Sequence, residues 1–298
     1  MNITHSGIIT IVGRPNVGKS TLLNALVGEK VAIVSHKPQT TRNRITGIVN
    51  RDGKQFVFTD TPGLHKARTR LGEYMDGVVR QSINAVDAAV LVVEPIPTPG
   101  EPERQLMERI RALKVPAVLV INKVDTVEQK EKLLEVIDAY SRECPFEAVF
   151  PISAKKREGV EGLLDALGAY LPEGPQLFPE DMTTDQPEKQ MMAEILREKM
   201  LLRLNREIPH GTAVEITRFS ERDNGIIDVE ATIFCEKASH KGIIIGKGGA
   251  MLKAISSLAR RDMEAFMGTK VYLQTWVKVK ENWRDSLAAI HNFGYTDE

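Results

Sequence analysis

Gly13-Arg14-Pro15-Asn16-Val17-Gly18-Lys19-Ser20 decides the fold, because an apolar run, Ile8 to Val12, leads into it and a helical pattern, Lys19 to Val27, leaves it. The spacing is G-x-x-x-x-G-K-[ST] between a strand and a helix, the signature of a phosphate-cradling loop. Glycines let the backbone wrap a phosphate without Cβ clashes. Successive N–H groups and the helix N-terminus supply positive partial charge. Lys19 is expected to reach the β- and γ-phosphates and Ser20 to offer its hydroxyl to Mg²⁺, with Thr21 next on the same helical turn.

The surrounding sequence repeats this strand–helix alternation. Gln55 to Thr59, Ala88 to Val93, Ala117 to Ile121 and Ala148 to Ile152 read as further buried strands, rich in Val and Ile. Arg104 to Leu113, Glu128 to Tyr140 and Val160 to Leu171 read as helices between or after them. Such alternation implies a mainly parallel sheet covered on both faces. Ile45 to Asn50 and Lys54 to Thr59 form the exception, since Arg51-Asp52-Gly53 is too short for a crossover and predicts one antiparallel hairpin. The fold class is therefore an α/β P-loop domain, a mostly parallel sheet with one hairpin.

Three more motifs sit at the C-terminal ends of predicted strands, where open α/β sheets bind ligands. Asp60-Thr61-Pro62-Gly63-Leu64 places a carboxylate where it can contact Mg²⁺ through water and an N–H, that of Gly63, for the γ-phosphate. Asn122-Lys123-Val124-Asp125 supplies a base reader. Guanine presents two adjacent donors, which one ionised carboxylate accepts; adenine lacks that pair, so Asp125 favours GTP over ATP. Ser153-Ala154-Lys155 can offer backbone N–H to the guanine oxygen. The reaction expected is hydrolysis of GTP to GDP and phosphate. Ras-like proteins follow the Gly63-type glycine with a water-orienting glutamine. Here Leu64 stands in that place and cannot act as a base, which predicts slow intrinsic turnover.

Composition narrows the remaining classes. The chain has 298 residues, 42% hydrophobic and 27% charged, enough for two soluble domains. Its 40 basic and 40 acidic side chains cancel, so any nucleic-acid signal must be local. Cys144 and Cys235 lack metal or disulfide spacing and read as reduced thiols. The N-terminus lacks a signal-peptide pattern and no apolar run approaches bilayer length, so a soluble, cytoplasmic protein is expected, with peripheral contact at the inner face of the cell membrane left open. The six histidines share no ligand spacing.

Residues 1–172 form the predicted nucleotide-binding domain, residues 173–188, rich in Pro, Asp, Glu and Thr, the linker, and residues 189–298 a second domain and tail. The second domain reads as a helix (Lys189 to Asn205), strands (Thr212 to Phe219, Ile226 to Cys235), a glycine loop, a helix (Met251 to Phe266), a strand (Val271 to Val279) and a last helix (Trp283 to Ile290). Gly246-Lys247-Gly248-Gly249 frames G-x-x-G. In KH domains such a loop clamps about four unpaired nucleotides. From Lys237 to Arg261 there are six basic residues and no acidic one. That one-signed stretch suits phosphate, and Lys241, Gly246, Lys247, Gly248, Gly249 and Lys253 are its candidate RNA contacts. With Ser239 to Ile245 as a short helix, the order is that of an α+β type II KH domain. A G-x-x-G can also be a plain helix-start turn, and charge runs are often solvated faces. Trp276 and Trp283 read as packing residues, with stacking on a base as the alternative, and Met191, Met192 and Met200 as core.

Pro15-Asn16-Val17 inside the phosphate loop and Lys37-Pro38-Gln39-Thr40-Thr41-Arg42 after it resemble the Era family of translation-factor-related GTPases, and the likeness runs through the KH domain to the tail. The resemblance implies a bacterial factor in small ribosomal subunit assembly, a monomer binding GTP or GDP, Mg²⁺ and single-stranded RNA near the 3′ end of the small-subunit ribosomal RNA. It implies a Mg²⁺-coordinating switch threonine at Thr40 or Thr41. It also implies that Asn16 holds K⁺ near the phosphates. The rival reading is a regulatory GTPase whose C-terminal domain binds a protein or membrane partner.

Overall fold

The computed structural model describes residues 3–64 and 67–295. The chain divides into two compact units, one of Met1–Ala67 and Gly72–Asp185, the other of Arg68–Leu71 and Gln186–Glu298.

In the first unit, strands β1 (His5–Val12), β2 (Ile45–Arg51), β3 (Lys54–Asp60), β4 (Ala88–Val93), β5 (Ala117–Ile121) and β6 (Ala148–Pro151) form one sheet in the order β2-β3-β1-β4-β5-β6. All neighbours are parallel except β2 and β3, which pair from Ile45↔Asp60 to Arg51↔Lys54. Their turn runs through Asp52 (φ 50°) and Gly53 (φ 72°), the two positive angles that a tight hairpin between twisted strands requires. Helices α1 (Lys19–Val27), α2 (Arg70–Ser82), α3 (Glu101–Leu113), α4 (Lys132–Ser141) and α5 (Val160–Leu167) follow in chain order. Side chains alternate along each strand, so each feeds both layers. Val90, Val92, Val118 and Val120 pack in one apolar cluster, and Ala89, Leu91, Leu119 and Ile121 in the other. This two-sided burial explains why these strands read as unbroken apolar runs.

Four helical expectations change, the helix read from Arg104 beginning at Glu101. The helix read from Glu128 begins at Lys132, and the one read to Leu171 ends at Leu167. Helix α2 is additional: Gly72 and Gly77 lower its propensity, but Met75, Val78 and Val79 recur at helical spacing and are buried. The segment read as the linker is hydrogen-bonded to the first unit over most of its length. The Gln55 side chain accepts the amides of Leu177 and Phe178 and donates to the Phe178 carbonyl, Thr183 O accepts Ile48 N–H, and Thr184 Oγ1 donates to Thr46 O. The physical reason is that β2 is an edge strand with unpaired backbone groups, which this polar segment satisfies.

In the second unit, α6 (Glu188–Arg203) precedes a three-stranded sheet of β7 (Thr212–Glu221), β8 (Ile227–Cys235) and β9 (Val271–Val279) in that order. The β7–β8 pair is antiparallel and β8–β9 parallel. Helices α7 (Ala238–Ile245) and α8 (Ala250–Met267) connect β8 to β9. Met191, Met192 and Met200 of α6 are buried with Ile195, Leu196, Val229, Ile233 and Met263. The last expected helix is instead a 3-10 turn, Trp283–Asp285, followed by α9 (Leu287–Asn292). Among the described residues no single helix is long and apolar enough to cross a membrane.

Candidate nucleotide site and nucleic-acid interface

Helix α1 starts directly at the end of the phosphate loop, with Gly18 as its N-cap at φ 101°. The Leu22 N–H is the first to return to the Gly18 carbonyl, so the amides of Lys19, Ser20 and Thr21 face the loop without helical partners. Gly18 is needed twice: its φ is left-handed, and a Cβ there would stand 2.3 Å from Asn122 Nδ2. A cavity of about 530 Å³ opens in front of this helix end. Pro15, Asn16, Gly18, Lys19, Ser20, Thr21, Thr40, Thr41, Gly63, Asn122, Lys123, Asp125 and Lys155 line it.

The Lys19 ammonium is buried and donates to the carbonyls of Gly13 and Arg14 at 3.1 and 3.0 Å. Burial lowers its pKa to about 8, partly opposed by the Asp60 carboxylate. Burial likewise raises Asp60 to about 6, against the pull of Lys19, Ser20, Thr41 and the Thr61 amide. Ser20 Oγ lies 2.5 Å from Asp60 Oδ2 and 2.8 Å from Thr41 Oγ1, and Thr41 Oγ1 lies 3.4 Å from the same carboxylate oxygen. Asp60 Oδ1 is buried and has no hydrogen-bond partner. Three oxygen side chains with one orphaned carboxylate oxygen fit a hard divalent cation such as Mg²⁺. Of the two candidate threonines, only Thr41 joins this cluster. Thr40 Oγ1 is occupied with Ser35 Oγ and Lys37 O at 2.8 and 2.7 Å.

The other motif residues frame the cavity. Thr61 Oγ1 bonds Ile11 O at 3.1 Å, fixing the strand end from which Pro62 and Gly63 follow. Gly63 lies so close to Pro15 that a Cβ would stand 2.4 Å from the Pro15 nitrogen. Leu64 is buried in the core cluster of Val79 and Ile83. At the far end, Asn122 clips three loops together: its Nδ2 donates to Val17 O at 2.8 Å and its Oδ1 accepts from Ala154 N–H at 3.0 Å. Lys123 Nζ donates to Asn16 O and to Glu94 Oε1 at 2.7 and 2.5 Å. Asp125 projects from a 3-10 turn, Val124–Thr126, and accepts the Ser153 hydroxyl at 2.7 Å, a bond that holds its pKa below the usual carboxylate value. An exposed, ionised carboxylate therefore lines the same cavity as Lys19.

One expected lining residue lies elsewhere. The Arg14 guanidinium does not line the cavity; it faces Glu94 at 3.6 Å and ion-pairs with the buried Glu103, leaving only its carbonyl to Lys19. Of the amides in Ser153-Ala154-Lys155, that of Ala154 donates to Asn122 Oδ1. Sequence reading missed Ile33, Val34, Ser35, His36 and Gln39, which line the cavity. Ile33 to His36 lie in an aperiodic loop with no motif of their own, and Gln39 stands in the run Lys37 to Arg42 without having been singled out.

In the second unit, α7 ends at Gly246 (φ 74°), Gly248 and Gly249 also take positive φ, and α8 starts at Ala250. The glycine loop thus joins two helices, with Lys247 and Lys253 exposed and Lys241 half-buried. Of the two tryptophans read as packing, Trp283 is fully buried and donates to Gly211 O at 3.0 Å. Trp276 is not: it is 44% exposed.

Comparison with known proteins agrees with this geometry. Residues 8–123 match the family model described as 50S ribosome-binding GTPase, and residues 207–284 match the KH domain. The chain is 50% identical over 290 residues to GTPase Era of Ruminiclostridium cellulolyticum, covering 97% of both chains. It is also 50% identical over 294 residues to GTPase Era of Clostridioides difficile, covering 98% of this chain and 99% of that one. A crystal structure of Era with MgGDPNP and nucleotides 1506–1542 of 16S ribosomal RNA superimposes with a TM-score of 0.94 at 36% identity, over 99% of this chain and 100% of the other. A variant of Aquifex aeolicus Era bound to GDP and AlF4⁻ gives 0.94 at 37% identity, over 98% and 100%.

Proposed function

The chain belongs to the Era family of GTPases, and from that membership we propose that it binds Mg²⁺·GTP in the cavity of its first unit, holds single-stranded ribosomal RNA on its second, and serves small ribosomal subunit assembly in the cytoplasm. It is a GTPase. The RNA is the 3′ end of the small-subunit ribosomal RNA, the partner present in the Era structure that this fold matches throughout. The observation that carries the nucleotide reading is the placement of Lys19, Ser20, Thr41 and Asp125 around one cavity, with the Asp60 carboxylate bonded to Ser20.

In this reading the free amides of Lys19, Ser20 and Thr21 and the Lys19 ammonium hold the phosphates. Ser20, Thr41 and Asp60 hold Mg²⁺, which when bound offsets charge on the phosphate oxygens. Asp125, kept ionised by Ser153, accepts the two guanine donors. The amide of Lys155 serves the guanine oxygen, since that of Ala154 is engaged with Asn122. Leu64 sits in the core and contributes no proton acceptor, so hydrolysis relies on positioning and charge rather than on a side-chain base. Asn16 supplies part of that charge by holding K⁺: it lines the cavity at φ 67°, its carbonyl is fixed by Lys123, and its side-chain amide has no partner among the described residues. Hydrolysis is expected to be faster in potassium than in sodium buffer; equal rates would remove Asn16 from this role.

The deciding experiment measures binding of GTP and ATP to purified protein with Mg²⁺. Strong preference for GTP is expected, and the absence of preference would overturn the assignment of Asp125. In parallel, RNA crosslinked to the protein in cells is expected to map to the 3′ end of the small-subunit ribosomal RNA.

A further inference from the structure

The sheet of the second unit has two faces, and its helices cover one. Val229, Ala231 and Ile233 of β8 and Val271 and Val277 of β9 point into the core with α6 and α8. Side chains alternate along a strand, so Tyr272, Gln274, Trp276 and Lys278 stand on the other face of β9. Two of them are large rings in solvent, Tyr272 at 49% and Trp276 at 44% exposure. At one end of this face the rings are already occupied. Phe293 packs on Phe234 with centroids 4.9 Å apart, Trp283 meets Phe293 edge-on at 5.3 Å, and Lys280 lies 4.8 Å above the Phe293 ring. Trp276 has no such cover.

The chemistry along β9 is one-signed. From Ala265 to Lys280 the chain carries Lys270, Lys278 and Lys280 and no acidic residue. The carboxylates nearest on β8 are already matched: Asp228 accepts Arg222 Nε at 2.8 Å, and Glu230 lies 3.7 Å from Arg218. Tyr272 is partly roofed, since the Arg222 guanidinium sits 5.1 Å over its ring, so Trp276 is the freer platform. Helix α8 leaves the glycine loop at Ala250 and packs on the opposite face of β9, where Ser256, about 9 Å further along the helix, bonds Thr275 at 3.0 Å; β9 is the edge strand of the sheet, so a chain leaving the loop can pass its edge to reach Trp276.

We propose that Trp276 stacks a base of the RNA strand held at Gly246 to Gly249, in the nucleotides flanking those clamped by the loop, with Lys278 meeting the adjoining phosphate. The proposal rests on the RNA-binding reading above and extends the interface onto a sheet face outside the G-x-x-G loop. Stacking on an aromatic side chain requires a free ring and a nearby cation, tolerates every base, and supplies affinity where sequence is not read. A protein partner fits this face less well, because protein contacts favour a contiguous apolar patch, and here Gln274 and Lys278 flank the indole.

The test uses the full chain and a labelled RNA of nucleotides 1506–1542 of 16S ribosomal RNA. Trp276→Ala is expected to weaken binding roughly five- to fiftyfold. Trp276→Phe should restore most of the affinity, and Trp276→Leu, bulky but not flat, should not. RNA should quench the tryptophan fluorescence of the parent but not of Trp276→Phe, whose remaining Trp283 is buried. Gly248→Asp, which places a negative charge in the clamp itself, separates the two readings. Parental affinity in Trp276→Ala with loss in Gly248→Asp overturns the stacking proposal and leaves the RNA reading standing. If neither substitution weakens binding, the RNA reading falls and the proposal with it. Equal loss in the Ala, Leu and Phe variants also overturns it, since a flat ring would then have no advantage.

Discussion

Gly246, Gly248 and Gly249 share a loop but not a reason for being glycine. A Cβ on Gly246 would stand 2.7 Å from Met251 Cβ and 2.9 Å from its nitrogen, whereas one on Gly248 or Gly249 would meet nothing within 4 Å. Gly246→Ala is therefore expected to destabilise the second unit by about 2 kcal/mol, through backbone strain and the close contact with α8, read as a lower thermal midpoint. Gly248 sits at φ 57°, a region that aspartate tolerates better than most residues. Gly248→Asp should leave that midpoint nearly unchanged, leave GTP hydrolysis intact, and weaken RNA binding by more than tenfold. At the base end, Asp125→Asn turns an N–H toward a guanine donor. One lost charge-assisted bond costs about 1.5–3 kcal/mol, so GTP affinity should fall roughly ten- to hundredfold while xanthosine triphosphate is spared, a contrast measurable by displacing labelled GDP.

Elements impose a different kind of constraint. Gln55 lies fully buried on β3 and uses its whole hydrogen-bonding capacity: Nε2 donates to Asn50 Oδ1 and Phe178 O, and Oε1 accepts Leu177 and Phe178 N–H. It fastens residues 177 and 178 to the hairpin edge. Gln55→Leu would orphan several of these groups at about 1–3 kcal/mol each when they stay buried. The expected result is a net loss of about 2–4 kcal/mol in denaturant unfolding of the first unit, with faster proteolysis of the released segment. Glu94, just past the end of β4, plays a comparable part at the nucleotide site, pairing with both Lys123 and Arg14. Glu94→Gln is expected to speed GTP release several-fold without changing hydrolysis of bound GTP. Neither residue belongs to a motif. Their importance comes from the elements they join, which is why the strand–helix alternation was legible in the sequence while these ties were not.

For the whole molecule, any coupling between the two sites must be reciprocal. If GTP changes RNA affinity by some factor, RNA must change GTP affinity by the same factor. Ordering of the segment around Thr41 by the nucleotide is the expected source of that factor. Titrating a GTP analogue with and without the 1506–1542 RNA, and the RNA with and without the analogue, should give matching ratios; RNA affinity identical with GTP, GDP and no nucleotide would remove the coupling. The sequence by itself determined the nucleotide class and the KH loop, because phosphate, guanine and backbone-clamping chemistry each demand particular residue types at short, fixed spacing, and short spacing is written along the chain. Tertiary structure alone decided that Thr41 and not Thr40 meets Asp60, that Arg14 faces Glu94 and Glu103, that residues 173–184 bond along β1, β3 and the edge strand β2, and that Trp276 stays uncovered. Each of those outcomes depends on which groups distant in sequence arrive beside the residue, and local pattern carries no record of them.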